Sequence, residues 1–212
     1  MEQEFWQNRW KDGKIAFHEA RPNRFLEAHF ENLKLKRGSK IFVPLCGKAI
    51  DLDLLFQKGM TVVGAELNEA AAMEVFSRQG LSPAEKSLGS LKQLSSEKLT
   101  IFVGDFFDLS ADQIGTVAAV YNRAALVALP DLIRKKYTQH LAKITHCARQ
   151  LVITYDYDQR QTDGPPFSVP VADVENQYTQ HYDIEKLSSA TIEGPLAERC
   201  TGHEIALMLS KR

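Results

Sequence analysis

The stretch IFVPLCGKAIDLDLLFQKGMTVVGAEL, residues 41–67, sets two apolar runs on either side of a helix-like segment and decides the fold class. Residues 41–45 (IFVPL) are a short continuous apolar run, the mark of a strand buried on both faces. Residues 49–58 place Ile50, Leu54 and Leu55 on one face of a helix, which Gly59 ends. Residues 61–67 (TVVGAEL) are a second buried strand. Strands joined by a helix run parallel, because a crossover of that length returns the chain to the same end of the sheet.

The pattern repeats outward. Residues 69–79 predict a helix closed by Gly80, 99–104 (LTIFVG) a third strand, 117–121 a fourth, 131–142 a helix introduced by Pro130, and 150–155 (QLVITY) a fifth strand. After the Pro-rich loop DGPPFSVP, a short helix is expected over 171–178 and an antiparallel pair near 183–188 and 204–209. On the N-terminal side, residues 2–10 predict a helix with Trp6 and Trp10 on one face, while 34–40 and 86–98 are polar enough for surface loops. The expectation is one α/β domain over 1–212, with an N-terminal extension at 1–38 and the α/β core at 39–212.

Composition narrows the function. With 26 Lys plus Arg against 27 Asp plus Glu, no basic face for nucleic acid is expected. The most apolar window, 116–129, is broken by Asn122 and Arg123, so no membrane span is expected. The N-terminus has no apolar leader, which points to the cytoplasm, and Cys46, Cys147 and Cys200 lack paired spacing and are expected to be reduced thiols.

In such sheets ligands bind beyond the carboxyl ends of the strands. There, Gly47 turns the chain after the first strand, and Glu66, 19 residues on, ends the second, where an acid can accept both hydroxyls of a ribose. The alternative is that Gly47 only turns the chain and Glu66 caps the next helix near Asn68. A single glycine in that loop cannot cradle a pyrophosphate, so a dinucleotide fits badly and S-adenosyl-L-methionine fits better. Asp105 and Phe106, after Gly104, suit an adenine amino group and ring, or equally a turn with a core aromatic. Arg123, in the middle of the apolar window, is costly unless paired, and its place favours a ligand contact over a plain salt bridge. The six histidines show no metal spacing, no G-x-S-x-G elbow is present, and Cys46 is expected to be packing. No candidate general base stands out.

Taken together, WKDGKIAFH (10–18), FVPLCGKAIDL (42–52), VVGAELNEAA (62–71), FDL (107–109), YNRAALVALP (121–130) and GPPFSVP (164–170) resemble the thiopurine S-methyltransferase family nearly end to end. The resemblance implies a Rossmann-like class I methyltransferase fold, with a seven-stranded, mostly parallel sheet, helices on both faces and an N-terminal helical lid. It also implies a monomer that uses S-adenosyl-L-methionine to methylate sulfur on small aromatic or heterocyclic thiols such as thiopurines, or selenium and tellurium species. By motif, the cofactor contacts would be Trp10, Leu45, Glu66, Asp105, Phe106 and Arg123. The acceptor would meet Phe17, Arg199 and Arg123, with Arg123 stabilising an ionised acceptor. Asn122 stands where the family has an acidic residue beside the arginine. Two rivals remain: a nucleotide-dependent oxidoreductase, disfavoured by the missing glycines, and a cofactor-binding protein without catalysis, favoured only by Asn122.

Overall fold

The computed structural model describes residues 3–13 and 18–212. Its helices are α1 (Gln3–Lys11), α2 (Arg24–His29), α3 (Asp51–Gln57), α4 (Glu69–Arg78), α5 (Ala111–Ile114), α6 (Asp131–Ile144) and α7 (Val171–Tyr178). Its strands are β1 (Lys40–Val43), β2 (Thr61–Glu66), β3 (Ala84–Leu88), β4 (Leu91–Ser96), β5 (Leu99–Val103), β6 (Ala119–Arg123), β7 (Arg149–Tyr157), β8 (Tyr182–Thr191) and β9 (Gly202–Lys211). They form one sheet in the order β3-β4-β5-β2-β1-β6-β7-β9-β8. The five strands from β5 to β7 are parallel, and the outer pairs are antiparallel.

Nine strands replace the expected seven. The extra two come from residues read as a polar loop: β3 and β4 are a hairpin around Gly89 (φ +69) that extends the sheet beyond β5. The reason is geometric. Leu91 and Leu94 are three apart on a strand, so they face opposite sides and each joins a different core, leaving no apolar–polar alternation to read.

Several boundaries move for local reasons. β1 stops at Val43, two residues short of the expected end, since Pro44 has no N–H for the ladder and Leu45 takes a left-handed backbone (φ +48). β6 runs two residues further than expected because Asn122 and Arg123, although polar, pair with Val152 and Ile153 of β7.

Each strand feeds alternate residues to two faces. One face carries Phe42, Val63, Val120 and Val152 under α5, α6 and α7; the other carries Ile41, Val62, Ile101 and Leu151 under α2, α3 and α4. From β1 the chain crosses to β2 on one side and later returns to β6 on the other, which opens a crevice at the carboxyl ends of those strands. Among the described residues no helix is long and apolar enough to cross a membrane.

Candidate functional site

A cavity of about 1130 Å³ lies at that crevice, roofed by Trp6, Arg9 and Trp10 of α1 and walled by the loops after β1, β2, β5 and β6. After β1, the Cys46 N–H donates to the Ala65 carbonyl (2.9 Å) and Gly47 turns with φ +52. A β-carbon at Gly47 would sit 3.6 Å from the Trp10 ring, so the tryptophan closes directly over this turn. Cys46 is buried with its sulfur against Gly64, and burial pushes its thiol well up, which fits packing.

Glu66 lies between the two readings made of it. Its Oε2 accepts the Gly47 N–H at 2.7 Å and its Oε1 the Asn68 N–H at 2.8 Å, so it ties the β1 and β2 loops together. It also lines the cavity, and each carboxylate oxygen keeps a second lone pair for a hydroxyl. Burial raises its pKa, while the N–H groups of Asn68, Gly47 and Leu67 hold it down.

After β5, the Gly104 N–H donates to the Glu66 carbonyl (2.9 Å), and its φ of +138 and the Leu91 methyl, 2.6 Å from any β-carbon, demand glycine. The Asp105 carboxylate accepts the Phe107 N–H (2.9 Å) and caps the 3₁₀ turn Phe106–Asp108. Phe106 is buried against Tyr137 and His140, with ring centroids 5.0 and 5.1 Å away. Both residues line the cavity, as does Leu45.

Adjacent residues on β6 part company, since successive side chains point to opposite faces. Arg123 faces the cavity, whereas Asn122 faces the core under α6 and α7, where it bonds Gln150, Tyr178 and Tyr137. An acid at Asn122 would thus not reach the cavity, and its substitution removes nothing from the site. The acids beside Arg123 come from elsewhere: Asp51, first residue of α3, at 3.3 Å, and Glu19, on the other guanidinium nitrogen. The Asp51 Oδ1 accepts the Asn23 N–H at 2.7 Å; the Asn23 amide and Arg24 in turn hold Glu204. Burial alone would lower the Arg123 pKa, but the neighbouring groups, Asp51 foremost, outweigh it and raise it. Burial likewise raises Asp51 and Glu19. The wholly buried Tyr121 hydroxyl lies beside Asp51 without a well-aligned hydrogen bond.

Of the expected site residues, Trp10, Leu45, Glu66, Asp105, Phe106, Arg123 and Arg199 all reach this one cavity. Arg199 sits exposed at its rim and donates to the Thr162 hydroxyl. Phe17 lies outside the described residues. Sequence reasoning missed Glu19, Asp51, Tyr121, Tyr155 and Glu204. Only Asp51 carried a signal, an acid in the first turn of the helix after β1.

Comparison with known proteins places this architecture. The thiopurine S-methyltransferase family model matches residues 1–205. The thiopurine S-methyltransferase of Teredinibacter turnerae is 39% identical over 211 residues, covering 100% of this chain and 98% of that one. That of Acinetobacter baylyi is 42% identical over 200 residues, covering 91% of each. In fold, the chain is similar to the Burkholderia thailandensis 1,6-didemethyltoxoflavin-N1-methyltransferase solved with S-adenosylhomocysteine (TM-score 0.69, 11% identity, 99% of this chain and 87% of that one). A methyltransferase from Anabaena variabilis is also similar (TM-score 0.65, 14% identity, 99% and 95%). The chain belongs to the thiopurine S-methyltransferase family of S-adenosyl-L-methionine-dependent enzymes.

Proposed function

We propose that the cavity holds S-adenosyl-L-methionine beside a small acidic aromatic or heterocyclic thiol, a thiopurine being the type case, and that the sulfur is methylated. The observation that carries this reading is a buried guanidinium, Arg123, facing the cleft next to a glycine turn that has a ribose-competent acid but no pyrophosphate cradle. The residues fit the cofactor. Glu66 has free lone pairs for ribose hydroxyls, Asp105 and Phe106 stand together for an adenine, and Leu45, Trp10 and Arg123 line the remaining wall. At about 1130 Å³ the space slightly exceeds the usual range for one small ligand, roughly 300–1,000 Å³.

When bound, the cofactor supplies a methyl group on a positively charged sulfur, which leaves as a neutral thioether. The chain's own residues then orient and desolvate. Val127, Leu129 and the Pro165–Pro166 loop exclude water, and Arg123 holds the acceptor sulfur as an anion, with Arg199 on the acceptor side. The one-glycine turn weighs against a nicotinamide enzyme.

The test is transfer of labelled methyl from the cofactor to a panel of heteroaromatic thiols, thiophenols, selenite and tellurite. Thiols are expected to be methylated, and Arg123→Ala should lower turnover at least tenfold, as about 1.4 kcal/mol of lost transition-state stabilisation gives tenfold; because it also leaves the buried Asp51 carboxylate without its cation, the unfolding midpoint should fall and turnover is read well below it. Absence of transfer to any sulfur would sink the reading; transfer confined to selenite or tellurite would replace the acceptor class.

A further inference from the structure

One cation and two anions meet on the cavity wall. Arg123 is shared between Asp51 and Glu19, so this cluster is already net negative before an acceptor arrives. A thiolate placed on Arg123 would be a third negative group on one guanidinium that is itself buried with Asp51. The two carboxylates are not equivalent. Asp51 is 1% exposed and locked by the Asn23 N–H as well as by Arg123. Glu19 is 43% exposed, lies on the cavity wall and, among the described residues, is held by Arg123.

We infer that Glu19 is the proton acceptor for the methyl acceptor: the thiol's S–H bond breaks, the proton passes to a Glu19 carboxylate oxygen, and the sulfur keeps the electron pair beside Arg123. That pair forms the new sulfur–carbon bond as the sulfonium–methyl bond breaks, and the Glu19 proton leaves to solvent afterwards. The inference rests on the S-methylation reading above and deepens it. It accounts for the charge, since Glu19 becomes neutral as the sulfur becomes negative and the cluster total does not change.

The other groups facing Glu19 leave it as the one that titrates. Asp51 on α3 stays locked as described, and Glu204 on β9 is held by the Asn23 amide and Arg24. Tyr121 on β6 and Tyr155 on β7 are pushed up by burial and remain neutral. Burial raises Glu19 itself, bringing its proton affinity closer to that of an acidic thiol. His18, the preceding residue, has its pKa lowered by burial and then by Lys48 and Arg78, which weakens it as a base.

The test is a proton count. The full-length protein loaded with S-adenosylhomocysteine, which cannot react, is titrated with 4-nitrothiophenol above that thiol's own pKa, by calorimetry in buffers of different ionisation heat. Wild type should take up about one proton per bound thiolate and Glu19→Gln about none, because only the former can become neutral. Glu19→Asp, which keeps the carboxylate, should restore uptake. In turnover with an ionised thiol, wild-type kcat/KM should fall about tenfold per pH unit above the Glu19 pKa, and in Glu19→Gln it should stay flat. Zero uptake by wild type that still methylates thiols overturns the Glu19 assignment alone. So does uptake that survives in Glu19→Gln but vanishes in His18→Gln. Failure of any thiol to bind or be methylated overturns the S-methylation reading and this inference together.

Discussion

Glu66 shows how one side chain can serve the fold and still face the cavity. Its two oxygens pin the Gly47 and Asn68 N–H groups, and its remaining lone pairs open on the cavity. A glutamine in its place has one acceptor oxygen and an amide nitrogen that cannot accept, so a loop N–H loses its partner and a ribose hydroxyl loses a charged one. Glu66→Gln should weaken S-adenosylhomocysteine binding about tenfold or more, a charge-assisted hydrogen bond being worth roughly 1.5–3 kcal/mol. Calorimetric titration checks it, and unchanged affinity removes Glu66 from the cofactor site. Glu66 was legible because its position follows from strand length and the distance to Gly47. Glu19 was not: it precedes the sheet in an irregular segment, and nothing local marks it as a partner for a residue 104 positions away.

At the scale of elements, the hairpin β3–β4 departs most from expectation. A strand or helix is legible when one of its faces repeats with a fixed period, and β3–β4 has none because its two buried leucines serve opposite cores. Its place in the site is indirect: Leu91 packs under Gly104, whose N–H fixes the end of β2. The helix α1 was legible as a helix, and its expected place as a lid over the site matches its position over the cavity. Gln7 joins it to the Leu67 carbonyl and the Asn68 side chain, and Trp10 lies over Gly47. We expect a ligand under Trp10 to slow amide hydrogen exchange in residues 3–13, since opening α1 would then also expose the ligand. Equal exchange with and without S-adenosylhomocysteine would make α1 a fixed wall rather than a lid.

At the scale of the whole molecule, a single sheet separates two apolar cores, and every central strand feeds both. Phe25, Leu26, Phe30 and Leu33, from the second half of the N-terminal extension, are buried in one of them. Neither core can melt without exposing the other, so calorimetry should show a single transition with calorimetric and van 't Hoff enthalpies in a ratio of about 1. Two resolved transitions would divide the chain into separate domains. By itself the sequence determined the parallel core, its helices and the glycine turn with its acid, because each depends on a local period or on spacing along the chain. The hairpin at the sheet edge, the turning of Asn122 away from the cavity and the gathering of Asp51 and Glu19 on Arg123 were decided only by the tertiary structure. The hairpin is local but has no periodic face to read, whereas the ion pairs on Arg123 join residues far apart in sequence, and their charges and burial exist only once the strands are side by side.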